Sequence, residues 1–315
     1  MTPVEAEPAV GAILVARDFD SVMNPWILAA RPKTLPAAFV PVWVGSMPLL
    51  VDGNPSTGSG FLFACTLASC LCIQVATNLF NDAIDHEKGA DTGDRLGPRR
   101  MTASGALEPG TVLIGALVFC VLAAVVALPL IAERGWIIVA IGLVSLFFSY
   151  GYTGGPFPLA YRGMGELFVI LFFGFVAVLG SYFVQSGTLG GMPIWLLGLQ
   201  CGLYSSVLIA VNNLRDLEED RLSGKRTVAV RLGKTFARWE IALFCFVPVM
   251  IWIIGPTVLS VTETIVLLAV FLPIAGHIKR KIFHTEPSRV YNLYLALGSV
   301  QLLLFGGFAT WVFAT

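Results

Sequence analysis

Two stretches of this chain set carboxylates and carboxamides at helical spacing. The first, NLFNDAIDHEKGADTGDRLGPRRMTASG, runs from Asn78 to Gly105. If the helix entering it continues, Asn78, Asn81 and Asp85 fall at i, i+3 and i+7 on one face, with Asp82 beside them. Gly89 and Gly93 end that helix and Gly97-Pro98 is a further breaker, so Asp91 and Asp94 lie on a loop able to fold back. The second, NNLRDLEEDRLSGKRTVAVRLG, runs from Asn212 to Gly233. Here Asn212, Asp216 and Asp220 are at i, i+4 and i+8 and make one stripe. Glu218 and Glu219 point elsewhere, toward Arg221 or Arg215 in solvent; Gly224 ends the helix, and Lys225 and Arg226 come next.

Facing stripes of oxygen donors beside basic loops suit a hard divalent cation holding a phosphorylated ligand. Magnesium takes one or two carboxylates and fills its other positions with water and phosphate oxygens. The histidine or thiolate ligands that zinc favours are absent, and His86 among the carboxylates reads as a bystander. Lys225, Arg95, Arg99 and Arg31 or Lys33 are placed to meet the phosphate oxygens that the metal leaves free. The competing reading of each cluster is an ordinary salt-bridged loop. Two clusters at matched positions argue against it.

The elements that must carry these clusters are membrane spans. Of 315 residues, 56% are apolar and 13% charged, with a mean hydropathy of +0.80. Soluble domains run at about 45–50% apolar and about 25% charged, so the composition excludes an ordinary soluble globule. Net charge is zero, so bulk charge argues for no particular anionic partner. Cys65, Cys70, Cys72, Cys120, Cys201 and Cys245 all lie in apolar runs with no CxxC, and read as small packing residues. Residues 1–25 are expected to be a mobile cytoplasmic tail without signal-peptide character, and 26–315 a single membrane-embedded domain.

Apolar runs of about 17–25 residues fall near 35–51, 61–81, 111–131, 136–151, 164–184, 194–213, 239–257, 262–279 and 291–313. The expected fold is therefore all-α: a polytopic bundle of nine transmembrane helices, with a soft fourth span and Pro273 inside the eighth. Alternate connections put 19 of the 20 Lys and Arg residues on one side, with only Arg134 on the other. By the positive-inside rule that side is cytoplasmic. It holds the N-terminus and both polar clusters, and the C-terminus lies outside. In a bacterium the membrane is the inner, plasma membrane.

Asn81 to Asp85 and Asn212 to Asp216 share the pattern N-x-x-x-D, four spans apart and at the same end of an even-numbered span. That spacing predicts two parallel four-helix pseudo-repeats plus a last helix, facing each other across a bundle axis. A third polar stretch, SYGYTGGPFPLAYRGMGE at 149–166, is rich in breakers and reads as a loop on the same side. In it, Arg162 either recognises an anionic ligand or pairs with Glu166 at i+4.

These motifs resemble those of the UbiA-type superfamily of membrane-embedded prenyltransferases. NDAID at 81–85 matches its first Asp-rich motif and DLEED at 216–220 its second. Gly89 stands where the simple first motif has its last Asp, with Asp91 two later. That form, followed by R-x-G-P-x-R, looks like the branch that prenylates 1,4-dihydroxy-2-naphthoate in menaquinone or phylloquinone synthesis. So do WILAARPKTLPAAFVPVWVG at 26–45 and GPFPLAYRGMGELFV at 155–169. The resemblance implies helices around a central cavity, a magnesium-bound prenyl diphosphate, and transfer to an aromatic ring that loses its carboxylate.

On that resemblance Asp82, Asp85, Asp216 and Asp220 are expected to hold Mg2+, directly or through water, with Asn81 orienting the first site. Lys225, Arg31, Lys33, Asp91, Arg95, Arg99, Arg162, Tyr150, Tyr161 and Asn212 are the expected substrate-binding residues. Phe147, Phe148, Tyr150, Tyr152 and Phe168 are candidates to face an allylic cation. The partners are a prenyl diphosphate, an aromatic acceptor and the lipid bilayer; no nucleic acid or protein partner is expected. Other acceptors, 4-hydroxybenzoate or homogentisate, remain alternatives. A secondary transporter of an anionic solute is a third reading, although it would place polar residues at mid-membrane.

Overall fold

The computed structural model describes residues 23–51, 58–90 and 96–315, and these form helices with no strand among them. In order they are α1 (Pro25–Ala30), α2 (Pro36–Leu50), α3 (Gly60–Glu87), α4 (Pro109–Val126), α5 (Leu128–Arg134) and α6 (Trp136–Gly151). Then come α7 (Gly165–Val169), a π-helical segment (Ile170–Val176) and α8 (Ala177–Ser186). The chain closes with α9 (Met192–Arg215), α10 (Leu217–Leu222), α11 (Val228–Ile254), α12 (Val261–His284) and α13 (Tyr291–Ala314).

Seven helical runs among the described residues are long and apolar enough to cross a bilayer: α3, α4 with α5, α7 through α8, α9, α11, α12 and α13. Two expected spans correspond to shorter apolar helices, α2 with 15 residues and α6 with 16. The chain is an integral membrane protein; among the described residues, length and composition support seven of the nine expected spans as full crossings and leave α2 and α6 as shorter apolar helices. Pro273 does not interrupt α12. The run on α11 begins earlier than its apolar stretch, at Val228, because Thr227 caps it and Gly233 (φ 84°) lets the chain kink before the apolar part starts.

α9 is the most buried of the seven and α4–α5 the least. The neighbours of α9 are α11, the π-helical segment and α13. Close approach depends on missing side chains: a Cβ on Gly174 would stand 2.5 Å from the Gly198 carbonyl oxygen and 3.0 Å from the Gly202 Cα. Without that Cβ the π-helical backbone lies directly on α9, the small-residue contact that membrane helices use. The one-residue expansion of a π segment rotates the facing of the residues beyond it. Here it falls where Phe172 and Phe173 turn toward the interior cavities. α3 packs chiefly on α4 around Val75, Leu79, Phe80, Ala83 and Ile84. The C-terminal ends of α3 and α9 are the two elements that carry the acidic clusters.

Candidate functional site

Both clusters open onto one cavity of about 210 Å³. α3 continues to Glu87, so the expected helical face forms, and Asn78, Asn81 and Asp85 all line that cavity. α9 stops at Arg215 and α10 starts at Leu217, with Asp216 between them. The i to i−4 bonds persist across this joint: Asp216 N donates to Asn212 O at 3.0 Å, and Asp220 N to Asp216 O at 2.8 Å. Asn212, Asp216 and Asp220 therefore stay in register and line the same cavity.

Asp85 is the hub of the first cluster. Arg100 donates to its Oδ2 at 3.2 Å and Lys225 to the same oxygen at 3.0 Å, while the Tyr161 hydroxyl donates to Oδ1 at 2.9 Å. Burial, and then the Asp85 charge, push the Tyr161 hydroxyl well above the ordinary tyrosine range, which keeps it a donor. Lys88 and Lys225 both stand near the Tyr161 ring, 4.4 and 5.0 Å from its centroid. Lys88 also donates to Thr153 O at 2.6 Å. Partial desolvation lowers its pKa, against the opposing pull of Asp85 and with the help of Lys225. Thr153 in turn donates to the Asn81 side chain.

Asp82 sits differently. It is buried and does not line the cavity. Its carboxylate accepts from Met101 N (3.1 Å), Thr102 N (3.4 Å) and Thr102 Oγ1 (2.8 Å). It ties down the turn that brings Arg100 inward. In the second cluster Arg215 is 1% exposed, not in solvent. It donates to both Asp216 oxygens at 2.6 Å, to Asn212 Oδ1 and to Asn292 Oδ1 of α13. Arg221 pairs with Glu218 as expected, and Glu219 accepts from Leu96 N.

The remaining expected residues divide. Arg31 lines the cavity and has φ 52°, a left-handed conformation that is costly outside glycine and concentrates at functional positions. Lys33 and Arg99 are exposed and do not line it; the inward-facing arginine of the 99–100 pair is Arg100. Arg162 is exposed and stacks on Phe157 at 4.2 Å. Tyr150 packs edge-on against Phe80 and lines neither this cavity nor its apolar neighbour. Asp91 and Arg95 lie outside the described residues. Arg162 and Glu166 do not sit as an i+4 pair, because α7 begins only at Gly165 and Glu166 turns inward to Asn213. Spacing does not single out Arg100 or Lys88, and it offers Glu166 only as the i+4 partner of Arg162. The one sequence signal for Arg100 is its place directly before the turn that Asp82 anchors.

A second, apolar cavity of about 170 Å³ adjoins the first. The two share Gln74, Thr77, Phe168 and Phe173. Phe148 and Phe172 line the apolar side and Tyr152 the polar side, while Phe147 is exposed. Phe168 stacks on Phe172 with centroids 4.2 Å apart.

Among the described residues no three acidic, His or Cys side chains stand close enough to cage an ion alone. The polar cavity offers carboxylates in ones and twos, with amide oxygens beside them and no His or Cys in its lining. That donor set fits magnesium, which completes its shell with water and phosphate oxygens, and does not fit zinc.

A family model described as "UbiA prenyltransferase family" matches residues 38–300. The chain is 33% identical to a 1,4-dihydroxy-2-naphthoate octaprenyltransferase of Bacillus subtilis, with 88% of each chain covered. It is 29% identical to the Haemophilus influenzae protein of the same name, over 89% of this chain and 92% of that one. Among solved structures, a UbiA homolog from Archaeoglobus fulgidus bound to GPP and Mg2+ superposes with a TM-score of 0.67 at 14% identity, over 93% of this chain and all of that one. At that identity the likeness concerns the fold.

Proposed function

This chain belongs to the UbiA prenyltransferase family, and we propose that it transfers a polyprenyl group from a prenyl diphosphate to 1,4-dihydroxy-2-naphthoate with loss of the carboxylate. The product is a demethylmenaquinol-type lipid of menaquinone or phylloquinone synthesis. The observation that supports the reading best is the meeting of Asp85 with Asp216, Asp220 and Lys225 in one cavity that adjoins an apolar one. An amphipathic donor needs both.

Asp85, Asp216 and Asp220 would hold magnesium, with the Asn81 and Asn212 side chains beside them. When bound, the ion supplies Lewis acidity to the diphosphate leaving group. Arg31, Arg100 and Lys225 give the same cavity fixed positive charge, so the developing negative charge meets preorganised donors. In the protein alone Arg100 and Lys225 rest on Asp85. Their charge is thus kept compensated until an anion offers them other oxygens. Asp82 acts through the 101–102 turn that places Arg100.

The apolar cavity takes the start of the prenyl chain, and the rest lies along helix surfaces open to lipid. Phe168, shared by both cavities, presents its ring where an allylic cation forms and excludes water there. The clustering of Lys and Arg supports a cytoplasmic site, a cytoplasmic N-terminus and, in a bacterium, the inner membrane. The test is a competition assay. Purified protein receives geranylgeranyl diphosphate, magnesium and equal amounts of 1,4-dihydroxy-2-naphthoate, 4-hydroxybenzoate and homogentisate. A prenylated, decarboxylated naphthoquinol as the dominant product by mass spectrometry is expected. A prenylated benzoate or homogentisate product in its place would overturn the acceptor assignment.

A further inference from the structure

Two acids on the wall of the polar cavity answer to cations: Asp85 to Arg100 and Lys225, and Asp216 to Arg215. Glu166 is built differently. It lines the same cavity and is 3% exposed. Its Oε1 accepts from Asn213 Nδ2 at 2.7 Å, and its Oε2 has no hydrogen-bond partner among the described residues. A buried carboxylate oxygen left unsatisfied is uncommon in folded proteins and costly. A partner that arrives with the ligand resolves that cost.

Position says which part of the ligand. Gly165 and Glu166 open α7, and Phe168, two residues on, lines both cavities. Tyr152 and Ser205 line the polar cavity with Glu166. A Cβ on Gly165 would come within 3.0 Å of the Tyr152 hydroxyl, so glycine there leaves the approach to this corner open. The corner is on the Phe168 side of the cavity, where the reacting carbon and the ring must meet. The Lys225 contact that marks the diphosphate end falls on Asp85.

We infer that Glu166 is the proton acceptor for the acceptor ring, taking the proton of the hydroxyl adjacent to the carboxylate-bearing carbon; this rests on the prenyl-transfer reading. As the donor C–O bond breaks, its electron pair leaves with the diphosphate. The ring carbon that bears the carboxylate bonds to the prenyl carbon, the neighbouring hydroxyl becomes a carbonyl, and its proton passes to Glu166 Oε2. The product of that step is a β-keto acid. Its C–C bond to the carboxylate then breaks, carbon dioxide leaves, and the pair returns to the ring as the carbonyl oxygen takes the proton back from Glu166. Net, prenyl diphosphate and the naphthoate give prenylated diol, carbon dioxide and diphosphate, with the proton borrowed and returned. Asn213 holds the carboxylate in place and is a positioning residue.

Four proteins test this: wild type, Glu166→Gln, Glu166→Asp and Asn213→Ala, with geranylgeranyl diphosphate as donor and 1,4-dihydroxy-2-naphthoate as acceptor. Removing a general base lowers turnover by about 10²–10⁴-fold, so Glu166→Gln should fall by that much in kcat. Its magnesium-dependent donor Kd should stay within about twofold, because the group touches only the acceptor. Glu166→Asp should recover part of the rate, and Asn213→Ala should lose a smaller factor in kcat with donor Kd again unchanged. Glu166→Gln at wild-type kcat would overturn the assignment. So would a parallel loss of donor binding, which would make Glu166 part of the metal and diphosphate site. If Glu166→Gln does not fold, Asn213→Ala decides: unchanged kcat overturns the role. A wild-type protein that binds donor but makes no naphthoate product removes the acceptor reading itself, and this assignment with it.

Discussion

Lys225 and Asp85, 140 residues apart in the chain, meet at 3.0 Å between Nζ and Oδ2. The contact joins the loop after α10 to the end of α3, and so closes the two acidic clusters into one site. Lys225 is held there by its own backbone N–H, which donates to Asp220 O at 2.8 Å. Replacing it separates donor binding from folding, because Asp85 keeps Arg100 and Tyr161. A charge-assisted hydrogen bond is worth about 1.5–3 kcal/mol, so Lys225→Ala should weaken prenyl diphosphate binding roughly 10–100-fold. Lys225→Arg should keep part of it. Titration of donor against the purified variants in magnesium checks this, and unchanged affinity in Lys225→Ala would remove Lys225 from the diphosphate end.

Asp216 and Arg215 form a pair that is nearly fully buried. Removing one partner of such a pair costs about 3–5 kcal/mol. Asp216→Ala should therefore lose turnover and a large part of its thermal stability together. Asp85→Ala should lose turnover while still inserting in the membrane. Product formation and unfolding temperature, measured on the same detergent preparations, separate the two cases. Wild-type rates in both variants would contradict the metal-holding roles.

Asp82 gives a prediction of the opposite kind. Its oxygens serve Met101 and Thr102, so Asp82→Asn should loosen the turn behind Arg100. A buried acceptor lost from such a set costs about 1–3 kcal/mol, and donor affinity should fall with stability. The magnesium concentration for half-maximal rate should not move. A raised magnesium midpoint would place Asp82 among the groups that hold the ion.

Phe168 stands between the polar and apolar cavities and lines both. Phe168→Ala should admit water to the reacting carbon and divert donor to free prenyl alcohol. The ratio of alcohol to prenylated ring, read by mass spectrometry, should rise at least about tenfold if one cation–π contact of about 1–2 kcal/mol and the water barrier are both lost. An unchanged ratio would assign Phe168 to packing alone.

Much of the site is legible in the sequence because it sits on helices, where period alone decides facing. Asn78, Asn81 and Asp85 line one wall, and Asn212, Asp216 and Asp220 line another, as their spacing requires. The apolar runs locate the helices for the same reason. The residues that spacing could not place lie in turns. Arg99 and Arg100 are adjacent, and it is the anchoring of residues 101–102 by Asp82, with the Asp85 carboxylate as partner, that turns the second one inward. Glu166 has an arginine four residues before it in sequence, Arg162, but the helix starts at Gly165, and the amide of Asn213 on α9 captures it instead. Arg215 reads as a solvent partner for Glu219, yet Asn292, 77 residues on, draws it into the bundle. Each of these outcomes depends on a tertiary partner that no local pattern contains.

The most direct measurement is a single assay on the purified protein in detergent. Geranylgeranyl diphosphate and 1,4-dihydroxy-2-naphthoate are supplied with magnesium and, in parallel, with EDTA, and the lipid products are identified by mass spectrometry. The account predicts a prenylated, decarboxylated naphthoquinol with magnesium and none with EDTA. Equal product under both conditions would contradict the magnesium–diphosphate site built on Asp85, Asp216 and Asp220. No product from any donor and acceptor pair, together with no magnesium-dependent diphosphate binding, would contradict prenyl transfer itself.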